Sequence, residues 1–83
     1  MDVYYTYVLK SKKDDKLYIG STSNLSRRFQ EHNEGKVKST SYRCPLELIY
    51  YEAYKEEEIA RRREKILKIG KAHMELKRRL NIN

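Results

Sequence analysis

The chain alternates between two hydrophobic periods, and the places where it switches divide it into six elements. Residues 3–10, Val-Tyr-Tyr-Thr-Tyr-Val-Leu-Lys, are almost all β-branched or aromatic and predict a strand. A polar turn from Ser11 to Lys16 follows, then Leu17, Tyr18 and Ile19 as a short second strand ending at Gly20. Two strands separated by six polar residues should pair as an antiparallel hairpin. Asn24 is a good N-cap for a helix running to about Asn33. Leu25 and Phe29 stand four apart on its buried face, and Arg28 and His32, also four apart, line the edge of that stripe.

Glu34 to Pro45 is polar and irregular and predicts a loop; Leu46 to Tyr54 predicts the third strand. Glu56, Glu57 and Glu58 suit the positive end of a second helix, which runs to about Ile69 and stops at Gly70. Ile59, Ala60, Ile66 and Leu67 form its apolar arc, with Arg63 projecting into the middle of that arc, either extended along its aliphatic stem or paired with a buried acid. A last helix, roughly 72–80, offers Met74, Leu76 and Leu80 for burial. The order β-β-α-β-α-α predicts an α+β fold, a small three-stranded antiparallel sheet flanked by helices, with one domain spanning residues 1–83.

Composition narrows the partner. Nineteen Lys and Arg against twelve Asp and Glu leave a net charge of +7. Such a surface favours polyanions, because each phosphate neutralised by Lys or Arg releases a condensed counterion. The single cysteine, Cys44, excludes an internal disulfide and a cysteine-rich zinc site. No apolar stretch approaches the roughly 20 residues that span a bilayer, and the opening residues read as a strand rather than a signal peptide. The expected location is cytoplasmic. The acids Asp14 and Asp15 lie in the hairpin turn and read as turn chemistry.

The segment Tyr5-Thr6-Tyr7, ten residues, then Tyr18-Ile19-Gly20 resembles the paired motif of the GIY-YIG nucleases. The second half matches in full; the first keeps Tyr7 but has Tyr5 and Thr6 where glycine and isoleucine are usual. Arg28 lies eight residues after Gly20, His32 four later, and Glu64 falls where that family carries its metal-binding glutamate. The resemblance runs from about Tyr4 to Leu80 and is nearest to single-domain members that resemble the nuclease module of the excision-repair incision subunit. It implies a DNA endonuclease, with DNA repair as one setting, in which Tyr7, Tyr18, Arg28, His32 and Glu64 are catalytic. Glu64 would hold Mg²⁺ or Mn²⁺, Arg28 would grip phosphate oxygens, the tyrosines would position or deprotonate water, and His32 would relay a proton or orient a tyrosine.

Outside the motif, Arg61, Arg62, Lys65 and Lys68 on the second helix, with Lys36, Lys38, Tyr42 and Arg43 on the loop, are candidates for holding DNA. Backbone contacts of this type carry little sequence information. Specificity would therefore be low or come from a targeting protein partner. The alternatives are a nucleic-acid-binding module without turnover, which the departures at Tyr5 and Thr6 favour, and a protein-interaction domain whose charge only solubilises it.

Overall fold

The computed structural model describes residues 2–82. The elements are β1 (Tyr4–Ser11), β2 (Leu17–Thr22), α1 (Leu25–Asn33), a 3₁₀ turn (Ser41–Arg43), β3 (Leu46–Tyr54), α2 (Glu57–Leu67) and α3 (Gly70–Arg79). The three strands form one antiparallel sheet in the order β2-β1-β3. This is the expected α+β fold in the expected β-β-α-β-α-α order.

β1 is central, and its alternation decides what lies on each side. Thr6 and Val8 face α2 and α3: the Thr6 hydroxyl donates to the Ala60 carbonyl at 2.7 Å, and Val8 packs with Ile19, Leu67 and Leu76. Tyr7 and Leu9 face the other way and pack with Leu46, Leu25, Phe29 and Leu48. Each helical layer therefore covers one face. The register slips by one residue between Val8 and Leu9, which pair with Tyr50 and Leu48. The extra residue, Ile49, joins Tyr50 against the α2–α3 layer, so that Tyr51 returns to the face of Tyr7.

Local chemistry sets the boundaries. The Asn24 side chain accepts from the Arg27 amide and starts α1. In the hairpin turn, Asp14 accepts from the Lys16 amide at 3.0 Å and Asp15 takes a left-handed backbone, φ 61°. Both acids are turn residues, as expected. Gly70, with φ 54°, turns the chain between α2 and α3.

Some details depart from the pattern. β2 continues past Gly20 to Thr22, because Ser21 and Thr22 pair with Thr6 and Tyr5. α2 ends at Leu67, short of Ile69, and α3 begins at Gly70, before Ala72. Ile66 is 38% exposed and Met74 65% exposed, although both were expected in the core. A helix that meets a two-sided layer on a single edge buries only part of its apolar arc, and Leu67 and Leu76 occupy that edge. Arg63 takes the second of its two options. Its Nε and Nη2 each donate at 2.9 Å to the Glu52 carboxylate, which also accepts from the Tyr50 and Tyr54 hydroxyls. Arg63 holds that carboxyl down at about 2, with burial opposing and the two tyrosine hydroxyls assisting.

Candidate active site

Tyr7 lies at the centre of the sheet, with Gly20 opposite on β2 and Tyr51 opposite on β3. Its ring leans over Gly20. A Cβ added there would stand 2.6 Å from the Tyr7 hydroxyl oxygen, 2.8 Å from Cζ and 3.1 Å from Cε2 of Tyr18. Glycine is needed at position 20 because a phenol occupies the space a side chain would take.

Three rings meet above this strand pair. Tyr7 and Tyr18 have centroids 6.3 Å apart, Tyr7 and His32 5.8 Å edge-on, and Tyr18 and His32 4.8 Å. The Tyr7 hydroxyl and His32 Nε2 are 2.9 Å apart, and both residues are sealed from solvent. On the far side of the imidazole, Nδ1 lies 2.7 Å from the hydroxyl of Thr40, which is also fully buried. Burial pushes the Tyr7 phenol up to about 12, reinforced by Tyr18 and, more weakly, by the charge of Glu64, with the Arg28 guanidinium opposing. Burial and then the Arg28 charge push His32 down to about 4, against a smaller pull from Glu31. At neutral pH the pair is a phenol beside a neutral imidazole.

Arg28 precedes His32 by one turn of α1 and is half exposed, with Nη1 3.2 Å from Glu31 Oε1. Burial works against its charge, but Tyr7 and Glu31 outweigh it and the guanidinium is held charged. Glu64 arrives from the opposite layer, on α2. The Ser21 hydroxyl, next to Gly20 on β2, donates to its Oε1 at 2.8 Å, and the Lys68 ammonium donates to Oε2 at 2.7 Å. The carboxylate is thereby held against the strand that carries Tyr18 and Gly20.

Tyr7, Tyr18, Arg28 and His32 thus come together, with Glu64 close enough for its charge to bear on Tyr7. The other basic candidates are distributed around them. Arg61, Arg62 and Lys65 are exposed on α2, with Arg61 paired to Glu57. Lys36, paired to Glu34, Lys38 and the 68%-exposed Tyr42 lie on the 34–45 loop. Arg43 is folded back on the hairpin, where it faces Asp14 at 3.5 Å and the Leu17 carbonyl at 3.4 Å.

Two residues of this arrangement were not singled out from the sequence. Ser21 could have been noticed only as the hydroxyl after Gly20. Thr40 sits in a Ser-Thr-Ser run of a polar loop, where nothing marks one hydroxyl as buried.

Among the described residues no group of three or more His, Cys, Asp or Glu side chains could hold a metal ion. The fit to a metal rests on Glu64 alone. It is a half-buried carboxylate already carrying a cationic neighbour, Lys68, and it suits a hard divalent ion that takes one or two carboxylates and completes its shell with water. No helix among the described residues is long and apolar enough to cross a membrane.

The GIY-YIG catalytic domain family matches residues 3–77. A UPF0213 protein of Streptococcus pyogenes serotype M5 is 43% identical over 65 residues, 77% of this chain and 70% of that relative. A UPF0213 protein of serotype M2 aligns with the same identity and coverage. The solution NMR structure of a UPF0213 protein from Bacillus halodurans superposes with a TM-score of 0.55 at 33% identity, covering 89% of this chain and 80% of that one. The chain belongs to the GIY-YIG catalytic domain family.

Proposed function

We propose that this member of the GIY-YIG family is a metal-dependent endonuclease that hydrolyses DNA phosphodiester bonds with low intrinsic sequence specificity. The observation that carries the reading is the buried Tyr7–His32 hydrogen bond, 2.9 Å long, in a site whose other groups are an arginine and a carboxylate. Buried phenol–imidazole pairs with a charged guanidinium beside them are costly to maintain for packing alone, since a plain aromatic core would carry no polar groups to satisfy.

In this reading, Arg28 leaves Glu31 to place its planar fork on the phosphate oxygens and stabilise the charge that grows there. Tyr7 removes a proton from the attacking water while passing its own to His32 Nε2. Tyr18, packed on His32, lines the water's side of the site. Transfer between Tyr7 and His32 alone is steep in the resting protein. Burial holds the proton on the phenol and disfavours a second one on the imidazole. The phenol therefore gives up its proton only as it receives one. Glu64 would hold Mg²⁺ or Mn²⁺, a Lewis acid that neutralises phosphate oxygens and lowers the pKa of a bound water. The net charge of +7 and the exposed Arg61, Arg62, Lys65, Lys38 and Tyr42 would hold the DNA strand and leave base identity largely unread. Targeting by a protein partner follows from that lack of readout.

One observation favours the second reading, a nucleic-acid-binding module without turnover. Both oxygens of Glu64 already have partners, Ser21 and Lys68. The test is a nicking assay on supercoiled plasmid and single-stranded DNA with Mg²⁺, Mn²⁺ or EDTA, comparing wild type with Glu64→Ala after circular dichroism shows both folded. Metal-dependent cleavage that disappears in the variant supports the nuclease. Salt-sensitive binding without cleavage in any metal supports the module.

A further inference from the structure

We propose that Thr40 is a positioning residue of this site, its hydroxyl holding His32 in the tautomer whose Nε2 is bare and faces the Tyr7 hydroxyl. The kinetic consequence rests on the nuclease reading; the structural one does not.

In the resting protein, before substrate and its attacking water enter, Tyr7, His32 and Thr40 form a chain in which the residues are 1%, 0% and 0% exposed, so solvent does not stand in for a missing partner. The chain has two links, Tyr7 hydroxyl to Nε2 at 2.9 Å and Nδ1 to the Thr40 hydroxyl at 2.7 Å. A neutral imidazole carries one N–H. With that hydrogen on Nε2, it would point at the Tyr7 oxygen and the Thr40 hydroxyl would donate to Nδ1. The phenol hydrogen would then have no acceptor, because among the described residues the one side-chain acceptor at its hydroxyl is Nε2 itself. With the hydrogen on Nδ1, both short links of the chain are served, and the one donor left long is the Thr40 hydroxyl. Nδ1 donates to Thr40, the Thr40 hydroxyl has the Val37 carbonyl at 3.5 Å, and the phenol donates to Nε2. A wholly unpaired buried donor costs roughly 5- to 150-fold, and the first arrangement carries that cost at the phenol less whatever the long Thr40–Val37 contact loses in the second. Only the second leaves Nε2 able to receive the phenol's proton.

Thr40 can act in this way because the loop is fastened to α1. Its amide donates to the Val37 carbonyl at 3.1 Å, its carbonyl accepts from the Arg43 amide at 2.9 Å, and the Cys44 thiol reaches the carbonyls of His32 and Thr40. Val37 is buried beside them. A segment expected from sequence to be an irregular, DNA-holding loop thus delivers a side chain to His32.

The experiment reads the tautomer directly and the chemistry separately. Long-range proton–nitrogen NMR spectra of the ¹⁵N-labelled protein at neutral pH show which His32 nitrogen bears the hydrogen, with His73→Gln assigning the two rings. Wild type and Thr40→Ser are expected to show it on Nδ1. Thr40→Val, equal in shape but unable to accept, is expected to move it wholly or partly to Nε2. Its kcat for cleavage should fall by roughly 10- to 100-fold, toward loss of general-base assistance, at unchanged KM, with Thr40→Ser restoring most of it. Hydrogen on Nε2 in wild type overturns the proposal, whatever the folding of the variants. A tautomer and kcat that ignore Thr40→Val overturn it too. A protein that cleaves no DNA yet shows Thr40-dependent Nδ1–H refutes the nuclease reading and supports the positioning role; one that cleaves while its tautomer ignores Thr40 does the reverse.

Discussion

The substitution Gly20→Ala adds one methyl group at the most crowded point of the site. The added carbon would lie 2.6 Å from the Tyr7 hydroxyl and 2.8 Å from its Cζ. The ring end of a tyrosine can usually swing aside, but this one is tied to His32 and enclosed by Leu9, Leu46, Leu25 and Phe29. Overpacking of a well-filled core costs about 1–3 kcal/mol, and moving the phenol off His32 adds about 1 kcal/mol for the lost bond. The expected destabilisation is about 2–4 kcal/mol, a fall in Tm on the order of 10 to 25 °C for a domain of this size. Chemical denaturation and thermal melts measure it. Cleavage should drop at temperatures where the variant is still folded, because Tyr7 and Tyr18 both move. In a Tyr7→Phe background the 2.6 Å contact and the bond to His32 are already gone, so the added cost of Gly20→Ala should be smaller by about 1 kcal/mol, a coupling that a double-mutant cycle isolates. If Gly20→Ala were as stable and as active as wild type, the close approach of phenol to glycine, and the site built on it, would be refuted.

Other expectations follow from the same geometry. Arg28→Ala should lose cleavage by at least about 10²-fold while binding DNA nearly as well, since one guanidinium among many cations adds little to non-specific affinity but much to a phosphate in its transition state; equal losses in binding and rate would argue against that role. DNA affinity should fall linearly with salt on logarithmic axes, and Arg61→Glu with Arg62→Glu should flatten the slope without changing sequence preference. Stability should decline on acidification in two windows. His32 is held down at about 4 against an ordinary 6.5, so the unfolded chain takes up the proton first and stability is lost as pH falls from about 6.5 toward 4. Glu52 is held at about 2 against 4.5. Its contribution, about 2 kcal/mol once the half-exposed Arg63 is discounted for screening, is present above about pH 4.5 and lost toward pH 2. Glu52→Gln should remove the lower window and leave the upper one, as read from Tm against pH.

The strands, the helix start at Asn24 and the β-β-α-β-α-α order were legible because each rests on local pattern: β-branched and aromatic runs, an Asn cap, an acid-rich helix start. Tyr7, Tyr18, Arg28, His32 and Glu64 were proposed together from the motif they resemble, and Tyr7, Tyr18 and His32 meet ring to ring. The buried side of each helix was legible from Leu25 and Phe29, Ala60 and Leu67, and Leu76 and Leu80, but its width was not, because apolar residues at helical intervals say nothing about how much of the arc a neighbouring layer covers; hence Ile66 and Met74 are partly or largely exposed. Arg63 could be narrowed to two options, but its partner Glu52 lies eleven residues away across a packed layer. Thr40 and Ser21 were beyond reach for a related reason. A short hydroxyl carries no pattern of its own, and its value depends on a loop closing over a helix or a helix reaching a strand.

The positions of the contacts along the chain also order their assembly. The tyrosines of β1 and β2 are joined by a tight hairpin, His32 reaches Tyr7 across 25 residues, and Glu64 reaches Ser21 across 43. Closing longer loops costs more entropy and comes later on average. A newly made or partly melted chain would then hold its two phenols side by side with no carboxylate near them. On the proposed nuclease reading, hydrolytic competence would be the last property gained during folding and the first surrendered on opening.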